Sequence, residues 1–200
     1  MIEFKNVSYT YFSKFYTLFD FSCQFDTGNY CLIGDNVSGG LTLIRLLAKL
    51  DTYYKGEILV NGTNLKKVNY KKDFNVAYIS ATPKFFDNKT VLENVAYPLK
   101  VRGVKKSQRN TIAVETLSRF GWNDKADLKT KTLTTDEKII LAIIRASTRQ
   151  LDLLLCENIF DKVSIDKLNL INATTKILVT NNDLNLNNYE KLIFNLGQLK

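Results

Sequence analysis

The segment "CLIGDNVSGGLTLIRLL", Cys31 to Leu47, holds the residues whose types and spacing come closest to doing chemistry. An apolar run ends in Gly34, a turn containing Gly39 and Gly40 follows, and an apolar helical pattern continues through Leu43, Leu46 and Leu47. A strand, a glycine turn and a helix start in this order build a phosphate-binding loop. Backbone amides and the helix N-terminus cradle the phosphates, a lysine neutralises the outer oxygens, and the following Ser or Thr hydroxyl holds magnesium. Here Gly40 stands at the lysine position and Leu41 at the hydroxyl position. The amide-bearing frame of Gly34, Asn36, Ser38 and Gly39 is kept, with Thr42 just beyond it. Val37 places a β-branched residue where a positive φ would be strained.

Composition removes other chemistries. The chain has no histidine, which excludes Ser-His and Cys-His catalytic arrangements and histidine metal ligands. Its three cysteines, Cys23, Cys31 and Cys156, form no CxxC pair, so reduced core thiols are expected and no metal site is. The net charge of +8 is concentrated at Lys66, Lys67, Lys71 and Lys72 and at Lys100, Arg102, Lys105 and Lys106. Aromatic residues do not interleave with these clusters along the chain, so nucleic acid is not expected as a partner.

The elements that must position the loop follow from periodicity. "IEFKNVSY" and "YTLFDFSCQF" alternate like half-buried antiparallel strands, whereas "GNYCLIG" and "FNVAYIS" are continuously apolar, like strands buried on both faces. "GEILVNG" reads as a further strand closed by a tight Asn-Gly turn. Thr90-Val-Leu-Glu93 has the layout of a capping box opening a helix, which Pro98 and Gly103 are expected to interrupt. A second helix begins near Ser107 and stops at Gly121, and a third pattern covers Thr135 to Gln150. "LDLLL", "KILVT" and "KLIFNLG" follow as strands. Buried strands alternating with helices predict an α/β fold: a mainly parallel sheet, an antiparallel β layer and an inserted helical lobe. With 200 residues, a single compact unit is expected, with residues 1–87 and 133–200 as its core and 88–132 as the inserted subdomain. No apolar run reaches the roughly 18 residues of a membrane span, and the start lacks a signal-peptide layout, so a cytoplasmic location is expected.

In this order the pieces resemble the ATP-binding subunit of ABC transporters, nearest the small ATPase type of lipoprotein-release and cell-division systems. The landmarks are "LIGDNVSGGLTL", "KGEILVNG", "TVLENVAYPLKVRGV", "TLTTDEKIILAIIRA", "LLLCEN" and "ILVTNND". The resemblance implies a P-loop NTPase fold of ABC ATPase type. It also implies site roles: Glu157 falls at the water-activating glutamate and Tyr11 at the adenine-stacking aromatic. Most other stations depart from the pattern. Ala81 replaces the Q-loop glutamine, Cys156 the Walker B aspartate and Asn181 the γ-phosphate histidine, while Thr135 and Asp136 replace the signature glycines that receive the partner subunit's ATP. "NIFDKVS" has no match to the dimer-contacting D-loop.

The expected function is that of a pseudo-ATPase. It would dock to an ABC-transporter membrane subunit or pair with an active ATPase subunit as a heterodimer, and it would sit at the membrane only through them. The alternative is a divergent ATPase that binds ATP with magnesium through its loop amides and Tyr11 and uses Glu157 slowly. No cofactor is expected under the first reading.

Overall fold

The computed structural model describes residues 1–11, 16–34, 39–183, 186–195 and 198–199. Its elements run β1 (Ile2–Tyr9), β2 (Leu18–Phe25), β3 (Gly28–Ile33), α1 (Gly40–Leu47), β4 (Lys55–Val60), β5 (Thr63–Asn64), β6 (Val76–Ile79), α2 (Val91–Val101), α3 (Lys106–Arg119), α4 (Thr135–Ala146), β7 (Leu151–Cys156), α5 (Asp166–Asn169), β8 (Ala173–Thr180), β9 (Glu190–Asn195) and β10 (Gln198–Leu199). By its contacts the chain forms two compact units, one of residues 1–78, 151–158 and 173–200, the other of residues 79–150 and 159–172.

In the first unit the alternating segments pair antiparallel in the order β2-β1-β4-β5. Alternation puts Ile2 and Phe4 on one buried face with Phe21 and Phe25, and a register shift between Phe4 and Val7 returns Val7 to the core; Phe4 meets Phe21 edge-on at 5.6 Å. β4 lies so close to β1 that a Cβ on Gly56 would come within 2.3 Å of the Asn6 carbonyl oxygen. Glycine is required there, and its φ of +82° is one that side chains avoid. The other sheet has the order β10-β9-β3-β8-β7-β6, with β3 parallel to both β8 and β9 and β7 parallel to β8. Leu32, Leu153, Leu155 and Ile177 from its buried strands join Leu43, Ile44 and Leu47 of α1 in one core.

The second unit is helical. Its core takes Val91 and Val95 from α2, Ala113 and Leu117 from α3, and Leu141 and Ile144 from α4. Sharing that core is what groups α4 with residues 88–132; each fully buried aliphatic side chain contributes about 1.5–3 kcal/mol. The capping box read from sequence forms as expected: Thr90 Oγ1 accepts from the Glu93 amide at 3.1 Å, and Glu93 accepts from the Thr90 amide at 2.9 Å. Pro98 does not interrupt the helix, because α2 runs through it to Val101. The missing amide falls in the last turns of the helix, where it removes a single backbone bond and leaves the burial of Leu99 intact. Asn94, fully buried, accepts from the Phe86 amide and donates to the Thr90 carbonyl, each at 2.9 Å, and so fixes the approach to α2. Among the described residues no helix is long and apolar enough to cross a membrane.

Candidate functional site

The parallel pairing of β3, β8 and β7 carries Gly34, Asn181 and Glu157 to the C-terminal edge of three neighbouring strands. That edge is where open α/β sheets build ligand sites. Gly34 is fixed there by its amide, which donates to the Thr180 carbonyl at 3.0 Å. Thr180 is fully buried, and its hydroxyl donates to the Asn182 carbonyl at 3.1 Å, which ties down the turn containing Asn181.

The loop between β3 and α1 includes Asn36, Val37 and Ser38, which lie outside the described residues. Gly39 caps α1 with φ +103°, without a side-chain cap. A Cβ on it would meet Phe194 Cε1 at 2.9 Å and the Thr17 carbonyl oxygen at 3.0 Å. Gly40 is buried and brings no charge to the helix start. Leu41 is partly buried and packs against the core of the first unit. Thr42 is buried, and its hydroxyl donates to the Tyr11 hydroxyl at 3.3 Å.

Tyr11 is 46% exposed and packs edge-on against Tyr9, centroid to centroid 4.9 Å. Tyr11 and Thr42 are therefore brought together, as a loop and its aromatic neighbour would be. A triphosphate with magnesium needs a cation and a hydroxyl oxygen at this helix start, whereas Gly40 and Leu41 offer a hydrogen atom and an apolar branch turned into the core.

Cys156 closes β7, and its thiol donates to the Glu157 carbonyl at 3.4 Å. It is fully buried, and burial holds its thiol well above the usual range. Glu157 accepts a hydrogen bond from the Tyr78 hydroxyl of β6. Burial first, then that bond to the carboxylate, push the Tyr78 phenol upward, while Arg45 opposes the shift. Arg45, on the last turn of α1, grips Asp51 through Nε at 2.8 Å and Nη2 at 3.2 Å, and this pairing raises its pKa. Among the described residues no group of three or more Cys, Asp or Glu side chains is arranged to hold a metal ion.

The model of the ABC transporter family matches residues 18–160. The chain belongs to the ABC transporter family. It is 32% identical over 162 residues to the methionine import ATP-binding protein MetN of Clostridioides difficile (strain 630), covering 78% of this chain and 50% of that protein. It is also 32% identical over 162 residues to MetN of Helicobacter pylori (strain ATCC 700392 / 26695), with the same coverage. The chain thus spans about half the length of the curated relatives it matches. Its fold matches the dimeric bacterial ABC transporter cassette MJ0796 with a TM-score of 0.84 at 19% identity, over all of this chain and 97% of that one. It matches cbiO1 from Clostridium perfringens, part of the cbiONQ transporter complex, with a TM-score of 0.76 at 15% identity, over all of this chain and 86% of that one. A P-loop NTPase fold of ABC ATPase type is therefore the architecture.

The remaining site positions of this ABC family chain lie in the helical unit. Ala81 follows β6. Thr135 and Asp136 form the first turn of α4, whose N-cap is Thr134. Thr134 Oγ1 accepts from the Glu137 amide at 3.2 Å and Glu137 accepts from the Thr134 amide at 2.8 Å. Glu137 also pairs with Lys125; that bond, then the bond to Thr134, holds its carboxyl below the usual range. Two carboxylates, Asp136 and Glu137, stand in this first turn.

Sequence reading missed Tyr78 and the Arg45–Asp51 pair. Tyr78 lies 79 residues from Glu157, and no local spacing signals their contact. Arg45 and Asp51 are six apart across a helix end, outside the spacings that face each other on a helix.

Proposed function

We propose that this chain is a degenerate ABC-transporter nucleotide-binding subunit, a pseudo-ATPase that acts by docking to a membrane subunit or to an active ATPase partner. ATP binding and hydrolysis are weak or lost. The observation that carries this reading is the first turn of α1, where Gly40 is buried without charge and Leu41 packs against the core. Contacts to the outer phosphate oxygens and to magnesium are the main source of rate in phosphoryl transfer. Losing both at adjacent positions removes the means of catalysis while leaving the helix and sheet intact.

Three further features support the reading. Cys156 is a buried thiol at the metal-partner position, Glu157 is held by Tyr78, and the first turn of α4 carries Asp136 where a phosphate-facing helix start would avoid negative charge. The residues do not fit a magnesium-bound triphosphate, so no phosphoryl-transfer step is assigned to them. The name MetN describes import ATP-binding proteins, and the likeness to them supports work beside a membrane partner, at the cytoplasmic face and peripheral to the bilayer.

The second reading, a divergent ATPase, draws on one observation: the Tyr11 ring is partly exposed beside the Thr42 hydroxyl at the loop. Co-purification from the native cell separates the two when combined with calorimetric titration of magnesium and ATP. The first reading expects a membrane or ATPase partner and no saturable nucleotide binding. Micromolar binding that Tyr11→Ala abolishes would favour the second.

A further inference from the structure

Past Leu47 the chain leaves α1 through a positive φ of 56° at Lys49. There the Lys49 amide donates to the Leu46 carbonyl and the Leu50 amide to the Arg45 carbonyl, each at 3.0 Å. Helices that stop with this pair of bonds favour glycine at the turning residue, because a Cβ is strained there. Among the described residues the other non-glycine positions with positive φ are Asn6, Asp20 and Asn61, types that tolerate it. A lysine held in such strain points to a use for its side chain.

Lys49 lines a cavity of about 270 Å³ in the first unit, at the C-terminal end of α1 and so at the end away from Gly40. Leu46 and Leu65 are its buried apolar walls. The Lys49 ammonium donates to the Val68 carbonyl at 2.6 Å and lies 4.9 Å from the centre of the Tyr70 ring, so two of its three N–H groups remain for an acceptor. Burial lowers its pKa, a cost that an anion beside it would offset. The Tyr54 hydroxyl is buried and has no hydrogen-bond partner among the described residues. Burial, then the Glu57 carboxylate, push that phenol upward, so it stays a protonated donor. Lys66 adds a second ammonium to the lining, 4.6 Å from the centre of the Tyr54 ring. The lining carboxylate, Asp51, is already held by Arg45 through two nitrogens.

Apolar walls that carry one neutral donor and two cations suit an anion with a compact apolar body. A cavity of about 150 Å³ holds a benzene ring. The larger volume here therefore has room for a ring or branched chain together with a carboxylate. We propose that this cavity binds a small apolar monocarboxylate, its carboxylate held by Lys49 and the Tyr54 hydroxyl and its body laid against Leu46 and Leu65. An amine on the ligand would face Lys49 and Lys66, which selects against amines and amino acids. The proposal does not depend on the loss of ATP chemistry.

Saturation-transfer NMR and calorimetric titration of the full chain with benzoate at pH 7 test it, with benzylamine as the cationic counterpart. Saturable binding of benzoate and none of benzylamine is expected. Tyr54→Phe deletes a hydroxyl that has no partner in the protein, so the urea midpoint should hold or rise while benzoate affinity falls about tenfold. Lys49→Gly places the favoured residue at the turn and should keep the native circular dichroism while losing benzoate. Lys100→Ala/Lys106→Ala, in the helical unit, should bind as the wild type does. The proposal is overturned if benzoate does not bind, if either Tyr54→Phe or Lys49→Gly retains wild-type affinity, or if benzylamine binds as well, which would mark apolar uptake alone. It is equally overturned if Lys100→Ala/Lys106→Ala loses as much affinity, which would mark general electrostatic attraction, or if AMP displaces benzoate, which would make the cavity part of a nucleotide site.

Discussion

Tyr78→Phe removes a single hydroxyl from β6 and keeps the ring that packs there, so its effect isolates the bond to Glu157. A hydrogen bond to a charged, partly buried group is worth about 1.5–3 kcal/mol when one partner is deleted. With a urea dependence of about 2 kcal/mol per molar, the unfolding midpoint should fall by about 1 M at pH 7. The direction of the Tyr78 shift adds a second signature. Its phenol is raised above the ordinary value of 10.0 by burial and by the Glu157 carboxylate. A group whose folded pKa lies above its unfolded pKa contributes stability that is complete below the unfolded value and lost as pH rises past it. The difference between wild type and Tyr78→Phe should therefore be constant from neutral pH to about 9 and shrink above about 10. Urea titrations of both proteins at pH 7, 9 and 10.5, followed by circular dichroism, measure it. An unchanged midpoint at pH 7 would refute the claim that Tyr78 holds Glu157.

Gly39→Ala should destabilise by about 2–4 kcal/mol in thermal unfolding, because φ +103° is strained for alanine and the added methyl would press on the Phe194 ring and the Thr17 carbonyl. Thr134→Ala should cost about 1 kcal/mol through loss of the α4 cap. Because Glu137 is held below its ordinary value of 4.5, its contribution is present above that value and lost as pH falls below it, so wild type and Glu137→Gln should converge in stability in acid. Native protein at pH 8 should resist iodoacetamide at its three cysteines, since burial pushes Cys31 up to about 11 and Cys23 up to about 12 and leaves Cys156 fully enclosed. Mass spectrometry would count the labels before and after denaturation.

What the sequence made legible was what short spacing encodes. The two-residue spacings Ile2–Phe4 and Val7–Tyr9 and the Thr90-x-x-Glu93 pattern each specify a local geometry, and they appear in the structure as a buried strand face, shifted in register between Phe4 and Val7, and as a capping box. The ordered motifs likewise pointed to the ABC ATPase fold, which the family match and the structural likeness show. Pro98 misled because its effect depends on where the helix ends: near the C-terminus it costs one bond, and the packing of Leu99 outweighs it.

The side-chain partnerships of the site were not legible. Thr42 to Tyr11 spans 31 residues and Tyr78 to Glu157 spans 79, and only the packing of the folded first unit brings such pairs together. The same holds for Tyr54 and Lys66, which are distant as neighbours in sequence yet stacked in space. For the phosphate loop, residue types at Gly40 and Leu41 carried the chemical argument, and the structure adds where Leu41 packs.

The central claim, that this ABC-type fold no longer handles ATP, is met most directly by calorimetric titration of the wild-type chain with ATP and magnesium beside a Gly40→Lys/Leu41→Ser/Cys156→Asp variant. The account predicts no saturable heat for the wild type and binding regained in the variant, whose substitutions return the cation, the hydroxyl and the carboxylate. Saturable micromolar binding by the wild-type chain, abolished by Tyr11→Ala, would contradict it.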